Sequence, residues 1–121
     1  DPRYFELSGG LERRLYELSR KHCGAQALWR IGLSKLQMKI GSHAPLRRFR
    51  HELKAMAERS EGDYIRIINY LIVLGKDDIV YVFRDDANGH KAMATFFAGR
   101  AASKPTAAGF PAALDPISTA D

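Results

Sequence analysis

The chain has 121 residues, of which 45% are hydrophobic, and it carries a net charge of +5 at pH 7. This length suits a single domain with a proper core, and the sequence has neither a membrane-spanning apolar run nor a signal peptide. Cys23 is the only cysteine, which excludes an intrachain disulfide and is typical of a cytoplasmic protein. The basic balance favours an anionic partner.

The positive charge is concentrated in one segment, residues 30–59. This segment contains eight lysines and arginines (positions 30, 35, 39, 47, 48, 50, 54 and 59) but only two acids (positions 52 and 58). Its local excess of +6 is larger than the excess of the whole chain, because the charges elsewhere nearly cancel. An anion-binding surface is therefore predicted in this segment.

Before the basic segment, the pattern predicts one helix and one strand. Residues 1–8 are predicted to be extended, and Gly9-Gly10 separate them from a helix over residues 11–22. The predicted inward face of that helix consists of Leu11, Leu15, Leu18 and His22. Apolar and polar residues then alternate over residues 28–31, which predicts a short strand that ends at Gly32.

Two helices are predicted within the basic segment. The first spans residues 35–40, with Ser34 as its N-terminal cap and Gly41 as its end. The second spans residues 42–59 and is predicted to begin with Ser42 as its cap. A single tight turn therefore separates the two helices, which is the arrangement of a helix-turn-helix.

The second of these helices is strongly amphipathic. Its apolar stripe consists of Leu46, Phe49, Leu53 and Met56. The opposite face carries Arg47, Arg48, His51 and Lys54. The stripe predicts a buried face. The basic face has two interpretations, an ordinary solvated surface or a surface that approaches nucleic-acid phosphates.

A β-hairpin is predicted after the basic segment. Residues 64–74 are rich in β-branched and aromatic side chains, which predicts one long strand. Gly75-Lys76-Asp77-Asp78 form the predicted tip, and residues 79–83 form the returning strand.

The end of the chain carries weaker signals. A short helix is predicted over residues 90–99, with Met93, Phe96 and Phe97 on one face. Residues 100–121 are rich in Ala, Pro, Ser and Thr, which predicts a disordered tail. The chain is therefore predicted to consist of a folded domain, residues 1–99, followed by this tail.

The element order predicts an α+β fold of the winged-helix type, in which the second helix of the pair enters the DNA major groove. The side chains predicted to reach base edges are His43, Arg47, Arg48 and His51. Those predicted to contact phosphates are Lys35, Lys39 and Lys54. Lys76 is the candidate contact from the hairpin tip, but Asp77 and Asp78 beside it would repel phosphate. Either Lys76 alone reaches the DNA or the tip stays away from it.

Catalytic and metal chemistry are not predicted. His22 and Cys23 are adjacent, and no second pair of cysteines or histidines has zinc-finger spacing. Gly9-Gly10 lack the pattern of a phosphate-binding loop, so no nucleotide cofactor is predicted. The acidic pairs at positions 77–78 and 85–86 flank one strand and are interpreted as turn residues. The sequence therefore predicts a binding protein and not an enzyme.

Several of these motifs resemble the plasmid replication initiator protein A family. The resemblance rests on Gly9-Gly10-Leu11-Glu12-Arg13, Leu15-Tyr16, Arg20-Lys21-His22 with Gly24, and a downstream pattern from Trp29 to Leu53. It covers about residues 3–86. The resemblance implies a bacterial cytoplasmic protein that binds double-stranded DNA at plasmid origin repeats, opens the duplex and recruits host replication proteins.

The same resemblance implies a longer parent protein. Related plasmid initiators have two winged-helix domains, so this chain is expected to be a C-terminal portion whose missing N-terminal domain forms a dimer. Two alternatives remain open at this stage, a winged-helix transcriptional repressor and a winged helix that binds another protein. Salt-sensitive binding to duplex DNA would discriminate a DNA-binding domain from a protein-binding one. Tandem repeats in the DNA site would favour an initiator, and a single palindrome would favour a repressor.

Overall fold

A computed structural model of the chain describes residues 9–102. The predicted extended start and nearly all of the predicted tail lie outside these residues. The elements are α1 (Gly10–His22), β1 (Leu28–Gly32), α2 (Leu33–Ile40), α3 (Leu46–Arg59), β2 (Ile65–Ile67), β3 (Tyr70–Leu74), β4 (Ile79–Arg84) and α4 (Ala87–Ala102). The predicted α+β class is confirmed, and the order of elements is compatible with a winged helix. None of the described helices combines the length and hydropathy needed to cross a membrane.

The start of α2 differs from the prediction. The helix begins at Leu33, directly after β1, so Ser34 lies inside the helix and does not cap it. The N–H of Leu33 donates instead to the carbonyl of Asp78 at 2.8 Å. The hairpin tip thus satisfies one of the free N–H groups that a helix start exposes. The predicted end is confirmed, since Gly41 adopts a left-handed conformation with φ of 89°.

The turn between α2 and α3 is longer than predicted, because α3 begins at Leu46 and not near Ser42. The Ser42 hydroxyl accepts hydrogen bonds from the Gln37 amide at 3.2 Å and from the Ala44 N–H at 3.3 Å, so it does not cap α3. Gln37 also donates to the Ala44 carbonyl at 2.7 Å. Gln37 is a buried polar side chain, and these bonds fix the path of the turn.

The predicted long strand is two strands. β2 and β3 pair with each other through a two-residue turn, Ile68-Asn69, in which Ile68 has a positive φ of 50°. A positive φ at the first turn residue matches the right-handed twist of a hairpin. The sheet has the order β1-β4-β3-β2 and is antiparallel throughout. The predicted β3–β4 hairpin with its tip at residues 75–78 is confirmed.

The sheet separates two hydrophobic clusters. On one face, side chains of α1, α2 and α3 pack against the sheet, and Phe49 is completely buried there. Leu53 and Met56 are buried beside it, which confirms the predicted apolar stripe, while Leu46 is partly buried. Cys23 belongs to the same cluster, and burial raises the pKa of its thiol to about 11.

The other face of the sheet is covered by α4. Its Met93, Phe96 and Phe97 pack against a second cluster of Leu71, Val73, Tyr81 and Phe83, so the predicted apolar face is confirmed. The helix is longer than predicted at both ends and runs past the predicted boundary at residue 99. It starts early because the Asp86 carboxylate accepts the Gly89 N–H at 2.8 Å and caps the helix.

Polar and charged side chains connect strands and α4 at the end of the sheet that lies away from the β3–β4 tip. Arg66 bridges Glu61 at 3.0 Å and Asp85 at 2.5 Å, and His90 of α4 also contacts Asp85 at 2.5 Å. Arg84 pairs with Asp86. The two carboxylates of the predicted acidic pair at positions 85–86 therefore hold β2, β4 and α4 together.

The first testable prediction concerns the close approach of α4 to β4. A Cβ atom on Gly89 would lie 1.7 Å from the Arg84 carbonyl oxygen, whereas a Cβ on Gly99 would meet nothing within 4 Å. We expect Gly89→Ala to lower the free energy of unfolding by about 1–3 kcal/mol or more. Gly99→Ala is the matched control and should raise it by roughly 0.5–1 kcal/mol, because alanine favours a helix. Urea denaturation measures both, and equal stability of the two variants would contradict the close approach.

The second prediction concerns acid. Hydrogen bonds from the Gly89 N–H and then from Arg84 hold the pKa of Asp86 below its ordinary value of 3.8. A lowered carboxyl pKa contributes stability that is complete above 3.8 and is lost as the pH falls through the folded-state pKa. Asp86→Ala should therefore lower the urea midpoint by a constant amount between pH 7 and 5, and the gap should close below 3.8. A gap that does not depend on pH would contradict an ionised Asp86.

Candidate nucleic-acid interface

The outer face of α3 presents exposed basic side chains. Because Phe49 and Leu53 anchor the opposite face in the core, this face must point to solvent. Its exposed members are Arg47, Arg48, His51 and Lys54. Together with Arg50 they line a concavity of about 460 Å³. We call these five side chains the α3 basic surface.

Most of the exposed basic side chains on this surface form no ion pair within the domain. Within residues 9–102, Arg47, His51 and Lys54 have no carboxylate at ion-pair distance, although the charge of Lys54 helps to lower the pKa of Asp78. Arg48 approaches Glu52, with 3.8 Å between Arg48 Nε and Glu52 Oε2, and 71% of the Arg48 side chain is exposed. Such an exposed pair contributes about 0–1 kcal/mol. The surface is therefore able to exchange water and counter-ions for an external polyanion.

The other predicted contacts lie outside this concavity. Lys35 and Lys39 are half-buried on the outer side of α2, and His43 is exposed in the α2–α3 turn. The prediction that His43 belongs to the first turn of α3 is wrong, because the polar contacts of Gln37 and Ser42 extend the turn to residue 45.

α1 supports this side of the molecule. Arg14 donates to the Lys39 carbonyl at 2.8 Å and so satisfies a free carbonyl at the end of α2. A cation at a helix C-terminus is favoured by the helix dipole. The bond connects α1 to the helix that precedes the α3 basic surface.

The two carboxylates of the hairpin tip, Asp77 and Asp78, accept hydrogen bonds from other groups of the domain. Arg50 of α3 donates from Nε to Asp78 Oδ1 at 2.9 Å and from Nη2 to Asp78 Oδ2 at 2.7 Å. These hydrogen bonds keep the pKa of Asp78 below its ordinary value. The Asp77 carboxylate accepts from the Tyr81 hydroxyl at 3.1 Å and from the Ile79 N–H at 3.2 Å. Lys76 remains exposed beside them.

The Arg50–Asp78 pair is the feature that the sequence prediction missed. Arg50 lies on the same side of α3 as Arg47 and Lys54, so helical position alone groups it with the possible DNA contacts. Nothing in the local pattern joins it to a residue in a distant hairpin. The only signal was the repulsion expected between phosphate and an acidic tip, which a cationic partner for the carboxylates relieves.

The prediction that the chain has no metal site can be compared with the positions of the possible ligand side chains. Across residues 9–102, no three His, Cys, Asp or Glu side chains lie close enough together to hold a metal ion. Burial raises the pKa of Asp85, but hydrogen bonds from His90 and Arg66 outweigh this and keep its pKa below the ordinary value. The acidic groups of that region thus serve as partners for neighbouring cations.

Comparisons with known proteins agree with the resemblance seen in the sequence. The family model of replication initiator protein A matches residues 1–65, a range that includes α1, β1, α2 and α3 and ends at the first residue of β2. A "Putative replication protein" of Wigglesworthia glossinidia brevipalpis is 40% identical over 57 residues, which is 47% of this chain and 21% of that protein. The match thus spans about a fifth of the relative's length. No solved structure matches.

The family match covers more than half of the chain and includes all of α1, α2 and α3. It ends before the β3–β4 hairpin and α4, so it is shorter than the range of residues 3–86 that the motifs indicated. The expected place of the chain at the C-terminal end of a longer initiator stays a prediction. The chain belongs to the replication initiator protein A family.

Proposed function

We propose that this chain is a winged-helix module that binds double-stranded DNA, at the repeats of a plasmid origin, as part of a replication initiator. The observation that carries the proposal is the α3 basic surface, a concavity lined only by basic side chains. Family membership supports the role in replication. The order of elements supports the winged helix, with α2 and α3 as the helix pair and the β3–β4 hairpin as the wing.

The dimensions of α3 suit a groove-binding helix. Its 14 residues span about 21 Å at 1.5 Å per residue. The major groove of B-DNA is about 12 Å wide and admits one α-helix. Arg47 and Arg48 lie in the first turn of α3, where recognition helices contact base edges, and an arginine pairs well with guanine. Lys54 lies two turns further on, where it suits a phosphate.

Further parts of the proposal follow from the function. Lys35 and Lys39 of α2 are assigned to phosphates, and His43 of the α2–α3 turn is assigned to the groove edge. We also propose a binding module and not an enzyme, because four of the five side chains of the α3 basic surface are arginine or lysine, which hold a polyanion by their charge. Host replication proteins, a dimerising N-terminal domain and a bacterial cytoplasmic location belong to the same proposal.

The third prediction tests base readout. Arg47→Ala should cost about 1–3 kcal/mol on an origin-repeat duplex and relax the preference for that sequence over a scrambled duplex. Arg20→Ala removes the same charge from the far end of α1 and serves as the matched control, with little effect on either duplex. Fluorescence anisotropy with labelled duplexes measures both. Equal losses for Arg47→Ala on the two duplexes would contradict a contact with bases.

The fourth prediction tests phosphate contact. Lys39→Ala should weaken binding to every duplex alike and lower the slope of log K against log salt by about 1. A titration between 50 and 200 mM salt would show this change. If the parent chain binds no duplex even at low salt, the DNA-binding proposal fails, and the protein-contact alternative takes its place.

A further inference from the structure

We propose that Asp78 is a positioning residue, which holds the hairpin tip against α3 so that Lys76 contacts the DNA backbone beside the groove that α3 enters. The inference rests on the proposed function, because it assigns a role within the same DNA-contacting surface. It goes further by explaining why an acidic residue lies at the tip of a wing. We call the Arg50–Asp78 pair and its backbone support the wing latch.

The wing latch connects one hairpin residue to both helices of the helix pair. The side chain of Asp78 accepts two hydrogen bonds from Arg50, in the second turn of α3. Its carbonyl accepts the N–H of Leu33, the first residue of α2. A two-bond arginine–carboxylate pair restricts orientation as well as distance. The tip is therefore held at a defined angle to α3.

The tip itself is tightly closed, so a change in the wing latch must move Lys76. The Gly75 N–H donates to the Ile79 carbonyl at 2.8 Å, and the Asp78 N–H donates to the Gly75 carbonyl at 3.2 Å. Asp78 has a positive φ of 61°, a conformation that aspartate and asparagine adopt more readily than most residues. Lys76 lies between these fixed points and is exposed.

Electrostatics alone predicts the opposite effect of Asp78. Arg50 lines the α3 basic surface, and Asp78 cancels its charge. A carboxylate at this place repels a polyanion, so its removal should tighten binding if repulsion were its only effect. Under our proposal, loss of the carboxylate releases the wing and weakens binding. The sign of the change thus separates positioning from simple repulsion.

The test uses a variant with unchanged net charge. Arg50→Gln with Asp78→Asn breaks the ion pair, keeps the total at +5 and retains a residue that tolerates positive φ. In the parent, Lys76→Ala should lower the slope of log K against log salt by about 0.9, the value for one phosphate contact. In the double variant, the slope should already be lower by about 0.9, and Lys76→Ala should cause no further change.

Two single variants complete the binding experiment. Glu52→Gln removes a carboxylate from α3 that lies outside the wing latch, so it should tighten binding to all duplexes. Asp78→Asn removes the same charge but should weaken binding. If Asp78→Asn tightens binding as Glu52→Gln does, or if Lys76→Ala lowers the slope equally in the parent and the double variant, the inference is overturned.

A measurement without DNA tests the wing latch separately. In the double variant, the Leu33 amide should exchange with solvent about tenfold faster or more, since its acceptor at Asp78 is released by local opening. The Val82 amide, in the central strand β4, should keep its protection and so report an intact fold. Unchanged exchange at Leu33 overturns the wing latch. A parent chain that binds no duplex overturns the proposed function instead, whatever the exchange result.

Discussion

Burial of one side of α3 is the constraint on which the rest of the structure depends. Phe49 is completely buried against the sheet, and Leu53 is almost completely buried. Burial of such a side chain stabilises a domain by about 1.5–3 kcal/mol. Once this stripe is in the core, helical geometry leaves Arg47, His51 and Lys54 on the solvent side. The basic surface is thus a direct consequence of how the hydrophobic core is made.

The remaining elements hold α3 in place from several directions. Gln37 fixes the turn that leads into it, and Arg14 supports the end of the preceding helix through the Lys39 carbonyl. Arg50 joins α3 to the hairpin, through Asp78. The proposed contact with DNA needs this kind of support, because base contacts depend on a recognition helix held at a fixed angle.

Opposite charges have different uses at the two ends of the sheet. At the end away from the β3–β4 tip, Arg66 pairs with Glu61 and Asp85, and Asp85 also contacts His90 of α4, so these groups have partners within the domain. At the tip end, Arg50 and Asp78 are the only such close pair among residues 9–102, and the neighbouring Arg47 and Lys54 of α3 remain exposed. Within the described residues, the exposed cations of α3 therefore lie at the end of the sheet where fewer acids pair with them.

The sequence by itself determined the class of the fold, most helices, the β3–β4 hairpin, the buried stripe of α3 and the family. These follow from local periodicity and motifs, which depend on residues close together in the chain. The prediction from sequence was wrong where distant residues compete with local signals. The Asp78 carbonyl accepts the first N–H of α2, a role that the sequence analysis gave to Ser34 as a cap. A turn at Ile68 divides the predicted long strand, although that run contains no glycine or proline. Only the tertiary structure decided that Arg50 faces Asp78, because an ion pair between residues 28 positions apart has no periodic signature.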